Sequence, residues 1–416
     1  MTEAFVSGRG RVYCRGCNGP DLFSALNLGD LPIANELWAN INQTLESFPL
    51  HLRICNACGL GQVEDVVTPI RLFGDYRYLS STSTSFIEHA RQYVNSVVEN
   101  LKISKSDWIL EIASNDGYLL RNFVEIGVQV LGIEPAKNVA KIATDAGIPT
   151  INEFFSVQIA KSIFDKMGHP KLIIANNVMA HVPDLQDFIS GLAAIAGPET
   201  LISIENPSLM NFIVNDQFDT IYHEHYSYLT AHSVANIVEK FCLELFDVEK
   251  IDTHGGSNRY WLRLQAPNQS RGKKVQEQIS AEIKEGLFNE DLWDKFSSRT
   301  QATISTFHDW LKISYEKGHR VCGYGAAAKA STLLNAAKIN RKWLLAIADG
   351  SLEKQGWYMP LEGIPIVSPK AMFEMQPTDV IIFPWNIRDE LVDAIIRENK
   401  KDVRIWQAIP TLEQVS

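Results

Sequence analysis

Residues 108–120 read WILEIASNDGYLL. Trp108, Ile109, Leu110 and Ile112 make a short apolar run, Ser114–Gly117 a polar turn, and Tyr118, Leu119 and Leu120 the apolar start of a helical pattern. Strand, tight turn and helix in that order open a β-α-β unit. The rhythm continues outward: VQVLGIEP, KLIIANNV and TLISIENP read as strands, with GYLLRNFVEIG, AKNVAKIATDAG and DLQDFISGLAAIA as amphipathic helices between them. Such alternation predicts a parallel sheet covered on both faces, an α/β domain over residues 96–263.

The turn after the first strand decides what this domain binds. A dinucleotide fingerprint would place GxGxxG there, bringing backbone amides against a pyrophosphate. SNDG lacks it, and Asp116 would repel such a group. A cationic ligand with an amino-acid tail fits better: Glu111 and Asp116 would meet its ammonium or sulfonium, with Asn115 and Gly117 shaping the turn. Glu134, ending the second strand in GIEP, is placed to accept from both hydroxyls of a ribose. Asn176 and Asn177 stand at the carboxyl end of KLIIANNV, on the same edge. Singly these are ordinary loop residues; together they predict S-adenosylmethionine.

Length and composition bound the rest. A chain of 416 residues suggests two or three domains, and 45% apolar with 21% charged residues is that of a soluble globular protein. A net charge of -10 argues against a general nucleic-acid or anionic-membrane binder. The start MTEAFVSGRGRVYC has no apolar signal region and no run reaches membrane-spanning length, so the expected location is cytoplasmic.

Residues 1–95 are rich in Cys, Asn, Gly and aromatic residues, and read as a small irregular module. Cys14, Cys17, Cys55 and Cys58 form two CxxC pairs, while Cys242 and Cys322 stand alone. Four thiolates converging tetrahedrally predict a closed, structural zinc site, although the gap between the pairs is longer than in a usual zinc ribbon. A redox pair or four packed thiols are the alternatives. Residues 264–310 have helical spacing and read as a linker. From 311 to 416 a second β-α-β rhythm runs through RVCGYGA, ASTLLNAAK, WLLAIAD, DVIIFPW and VRIWQAI.

CRGC, GDLPIAN, CNACGL, DYRYLSSTS, EIASNDGYLL, NNVMAHVPDL, DTIYHEHYSYL, HGGSNR and GYGAAAKASTLLN occur in that order along nearly the whole chain. In these motifs the sequence resembles the sugar C-methyltransferases that methylate C3 of nucleotide-linked 4-keto-deoxysugars. The resemblance implies an N-terminal zinc-binding module, a central Rossmann-like S-adenosylmethionine methyltransferase domain and a C-terminal Rossmann-like α/β domain that helps hold the sugar nucleotide. One departure is Ala113, where glycine is common.

C-methylation beside a ketone needs a base at C3 and a group for the enolate oxygen at C4. The resemblance places the base on His225, with Tyr222 and Glu224 nearby and Tyr76 reaching in from the zinc module; Tyr78 of the same DYRYL motif is grouped with the substrate contacts. His181 is a second candidate for the base or the enolate oxygen. In a regular strand His223 and His225 would share one face and Tyr222 and Glu224 the other, so joint action requires irregular backbone. His223 reads as structural; an HxH metal pair completed by His181 or Glu205 is the less favoured option, since methyl transfer from a sulfonium needs no metal. In the C-terminal domain Tyr324, Gly325 and Ala326 lead into a helix whose amides, with Lys329, would meet a diphosphate. Trp385 and Asn386 would contact the nucleobase, and the role of Asp349 is open. The expected partner is a nucleotide-linked 4-keto-deoxysugar, with TDP the expected nucleotide and no nucleic acid or membrane partner; the separate module and long linker permit a monomer.

Overall fold

The computed structural model describes residues 13–41, 46–64, 67–74, 79–82, 84–266, 271–360, 362–398 and 403–416; Tyr76 and Tyr78 lie outside these. The N-terminal strands β1 (Leu22–Leu31), β2 (Phe48–Cys55) and β3 (Gly61–Gln62) form an antiparallel sheet. The central domain follows with β4 (Trp108–Ile112), β5 (Gln129–Ile133), β6 (Thr150–Ile151), β7 (Leu172–Asn176) and β8 (Leu201–Pro207), all parallel. Residues of β4 are buried on both faces, which is why the strand is apolar throughout rather than alternating. The chain then leaves the central sheet: β9 (Ser227–Tyr228) pairs with β3 and completes the N-terminal sheet. It returns with β10 (Leu243–Ile251) and β11 (Ser257–Leu264), the latter antiparallel to β8, giving the order β10-β11-β8-β7-β4-β5-β6.

Helices Lys273–Glu285 and Glu290–Glu316 occupy the stretch expected as a linker. The second runs past residue 310 and is more than a tether. Its Trp293, Phe296 and Phe307 are fully buried in one core with Phe23 and Leu52 of the N-terminal sheet and Ile347 and Ile381 of the C-terminal one. The C-terminal strands β12 (Val321–Tyr324), β13 (Ile347–Ala348), β14 (Ile366–Val367), β15 (Asp379–Ile382), β16 (Arg404–Gln407) and β17 (Glu413–Gln414) lie in the order β14-β13-β12-β15-β16-β17, with only β17 antiparallel. Trp38 and Tyr358 exchange two backbone hydrogen bonds of 2.9 Å, so the N-terminal module also grips the C-terminal domain directly. No helix among the described residues is long and apolar enough to cross a membrane.

Candidate active site and metal centre

The two CxxC turns bring Cys14, Cys17, Cys55 and Cys58 together with all four sulfurs within 4.8 Å of one another. The Cys14–Cys58 and Cys17–Cys55 sulfur pairs are 3.5 Å apart. Four thiolates at the corners of a tetrahedron about a zinc ion are spaced about 3.8 Å apart, so the set fits that metal with little movement. No other group of three or more His, Cys, Asp or Glu among the described residues is placed to hold a metal. The HxH alternative is therefore set aside: His223 is buried, with Nε2 3.2 Å from the Phe48 carbonyl, and burial pushes it down to about 4.

At the carboxyl edge of the central sheet, Ala113, Asn115 and Gly117 take left-handed backbone with φ of 52°, 51° and 76°. A side chain there costs about 1 kcal/mol, which is why glycine suits position 113. The curled loop donates its Asn115 N–H to one Glu134 oxygen at 3.0 Å, and Ala136 N–H meets the other at 2.9 Å. Burial pushes Glu134 up to about 7, and burial reinforced by Asp116 and Glu134 pushes Glu111 well above the usual range. One oxygen each of Glu111, Asp116 and Asn176 is buried with no partner among the described residues. Mutually repelling buried acceptors fit a cation carrying N–H donors, the chemistry of the S-adenosylmethionine tail. Ser80 and Ser81 donate their amides to the Asn115 and Asp116 side chains, at 2.9 and 3.2 Å, and lay the end of the zinc module over this loop. Asn177, also left-handed, donates its amide to the Glu205 carbonyl.

Between Ile221 and Tyr226 the backbone is a turn, not a strand. His225 N–H closes it on the Tyr222 carbonyl, and the Tyr222 hydroxyl lies 2.8 Å from His225 Nε2. His225 Nδ1 is 3.0 Å from the Thr220 carbonyl. A carbonyl only accepts, so Nδ1 carries the proton and Nε2 the basic lone pair, which the Tyr222 hydroxyl meets as donor. The His181 ring centre is 4.7 Å from that of His225, and its Nδ1 is 2.7 Å from the Glu224 carbonyl. By the same logic its proton is on Nδ1 and committed. Burial pushes it down to about 4, so at neutral pH it offers a lone pair and no donor to an enolate oxygen. The Glu224 side chain turns the other way: Asn35 of the GDLPIAN motif donates both its backbone and side-chain N–H to Glu224 Oε1 at 3.1 and 3.0 Å. The structure thus joins His225, Tyr222 and His181 and directs Glu224 to the N-terminal module.

Three parts of the chain match known domain families: a zinc binding domain over residues 14–73, a methyltransferase domain over 86–247 and a C-methyltransferase C-terminal domain over 252–410. C-methyltransferase NovU from Streptomyces niveus is 32% identical over 384 residues, 91% of each chain. This chain belongs to the C-methyltransferase family. Among solved structures, magnesium protoporphyrin IX methyltransferase from Synechocystis PCC 6803 with bound S-adenosylmethionine is 14% identical, covering 47% of this chain and 89% of its own with a TM-score of 0.33. The CcbJ methyltransferase of Streptomyces caelestis is 10% identical, covering 42% and 90% with a TM-score of 0.34. The C-methyltransferase described here uses S-adenosylmethionine and carries its zinc in the N-terminal module.

On the C-terminal side, the C-methyltransferase departs from the expected phosphate grip. The Ala326 amide donates to Asp349 Oδ2 at 2.9 Å, so an acid already holds the loop in which Gly325 takes φ 91°. Lys329 reaches Asn386 at 2.7 Å and lies 3.8 Å from the centre of the Trp385 ring, whose Nε1 donates to Asp219 at 2.9 Å. Burial lowers Lys329 to about 8 and raises Asp219 to about 6, each opposed by the charge of the other. Beside them a cavity of about 510 Å³, lined by Gln217, Trp385, Asn386, Arg388 and Gln407 among others, opens between the central and C-terminal domains. Tyr324 ends β12 and is buried in the core cluster with Ala348 and Ile382.

Two groupings escaped the sequence reading. Asp219 is one; a buried acid at the head of DTIYHEHY was its only signal. The other centres on Glu205 of β8. His89, Arg259 and Thr253 meet its carboxylate at 3.1, 2.9 and 3.0 Å, and Arg259 also covers the Tyr93 ring. Burial alone would raise Glu205, but His89 and Arg259 hold it at about 2. An acid following Ile202 and Ile204 in the strand LISIENP was the available clue.

Proposed function

We propose that the enzyme methylates C3 of a nucleotide-linked 4-keto-deoxysugar, with His225 as the base that generates the enolate. The observation that carries this reading is the His225 tautomer: Nδ1–H is tied to the Thr220 carbonyl and Nε2 holds its lone pair beside the Tyr222 hydroxyl. S-adenosylmethionine, held at Glu111, Asn115, Asp116 and Glu134, supplies an electrophilic methyl.

His225 Nε2 takes the C3 proton, and the Thr220 carbonyl stabilises the resulting imidazolium. A protonated Nε2 no longer accepts from Tyr222, and that hydroxyl turns to donate to the oxygen developing at C4. The electron pair at C3 would then take up the methyl group as its bond to sulfur breaks, the sulfonium leaving as the neutral thioether S-adenosylhomocysteine. Glu224 and Asn35 brace the turn from the zinc module. The polar seam cavity and Arg388 suit the nucleotide, and a pyrimidine such as TDP carries the amide and carbonyl edges that Gln217, Asn386 and Gln407 could match.

The enzyme should be incubated with S-adenosylmethionine and TDP- or GDP-linked 4-keto-6-deoxysugars, and the methyl position assigned by NMR. Methyl on C3 is expected. His225→Asn should lower turnover by about 10²–10⁴-fold while the donor still binds. Methyl on oxygen or nitrogen would remove the enolate route.

A further inference from the structure

The carbonyl that orients His225 belongs to Thr220, and the C-terminal domain holds the residue on each side of it. Trp385 Nε1–H donates to Asp219 Oδ2 at 2.9 Å, and Thr332 Oγ1 donates to the Ile221 carbonyl at 2.9 Å. Asp219 is fully buried, and its other oxygen has no partner among the described residues. The indole is its one side-chain donor there.

Trp385 is in turn held rigidly. Lys329 lies over its ring, and a cation there draws electron density from the indole and strengthens its N–H as a donor. On another side the ring presses on Gly255, where a Cβ would fall 2.3 Å from it. Gln217 links these parts: its side chain donates to the Gly255 carbonyl, and its own carbonyl accepts the Thr220 amide and hydroxyl at 3.1 and 2.8 Å. The short turn Phe218–Thr220 is thereby fixed from both domains.

We propose that Asp219, Trp385 and Thr332 are positioning residues for the base, so that docking of the C-terminal domain aims the Thr220 carbonyl at His225 Nδ1. They need not touch the sugar. The C-terminal domain then has a task in catalysis beyond holding nucleotide, and its seating decides whether Nε2 points at C3. This inference rests on the reading of His225 as the base.

The test uses the full chain with Asp219→Ala, Asp219→Asn, Trp385→Phe and Thr332→Val. For each, deuterium entry at C3 from solvent without methyl donor is followed by NMR, alongside kcat, KM and S-adenosylmethionine affinity. Trp385→Phe keeps an aromatic ring near Lys329 but removes the N–H together with part of the ring that meets Gly255, so Asp219→Ala, which removes the same hydrogen bond from the other side, is its control. Asp219→Ala, Trp385→Phe and Thr332→Val should each lower kcat and C3 exchange roughly ten- to a hundredfold, with KM and donor affinity within about threefold. Asp219→Asn, which keeps an acceptor, should recover most of the loss. Joining Asp219→Ala to Trp385→Phe should add little, since both remove one hydrogen bond. A raised KM with unchanged kcat and exchange, or normal exchange in all variants, overturns the positioning role while leaving His225 in place. Wild-type enzyme that exchanges no C3 proton overturns the base itself.

Discussion

A carbonyl oxygen cannot donate, and that fact alone decides which nitrogen of His225 and of His181 is basic. Glu134 shows a similar economy in the cofactor site. Its value of about 7 in the folded chain stands above the usual carboxylate value near 4.3. The folded, cofactor-free chain therefore holds a proton that the unfolded chain has lost between roughly pH 4.3 and 7, and this group's share of stability falls as pH rises through that window. Ribose hydroxyls donate best to the ionised carboxylate. S-adenosylmethionine should accordingly bind about tenfold more tightly at pH 8 than at pH 6, and Glu134→Gln should flatten that slope. Calorimetric titration across the range would show it, and a flat wild-type profile would remove Glu134 as the ribose acceptor. Ala113 illustrates the limits of reading residues from a motif: the departure from glycine was visible, but only the φ of 52° shows what the departure costs.

Among the elements, β8 carries more than packing. Its Glu205 ties together helix Thr84–Asn100, which supplies His89, strand β11, which supplies Arg259, and the Thr253 turn. Glu205→Ala would leave Arg259 with Glu249 as its remaining ion-pair partner and His89 without its carboxylate, and should cost about 3 kcal/mol in urea unfolding. Exchanging both partners, Glu205→Leu with Arg259→Met, should recover most of that loss; a double variant as unstable as the single would mean the acid acts through something other than this pair. The alternation of apolar strands and amphipathic helices made the α/β layers of both large bodies legible, because periodicity is a local property. The turn at Tyr222–His225 was also foreseeable, since a regular strand would have parted its side chains. What could not be read was long-range: β9 leaving its neighbours to pair with β3, Glu224 facing Asn35, and Asp349 taking the Ala326 amide. Such pairings depend on where distant segments meet, and no local pattern records them.

For the whole molecule, the N-terminal module closes a ring. It pairs with the central chain through β3 and β9, with the C-terminal domain through Trp38 and Tyr358, and shares a core with helix Glu290–Glu316. Zinc should therefore matter at a distance. Removing it with a chelator, or replacing Cys58 by Ala, should lower the melting temperature and abolish turnover together, because the sheet that braces the Tyr222–His225 turn loosens. Turnover that survives complete loss of zinc, measured by metal analysis, would show that the turn stands without the module.

The pairing of β3 with β9 also imposes an order of events during synthesis. All four metal-binding cysteines have left the ribosome once Cys58 emerges, so the ion can be captured early. The last strand of the same sheet, Ser227–Tyr228, has by then not been made. At roughly 5–20 residues per second, the nascent metal-loaded module waits on the order of ten seconds or more with the edge of β3 uncovered. Through that interval its unpaired backbone invites a stray strand, and a chaperone that shields this edge would speed maturation of the enzyme.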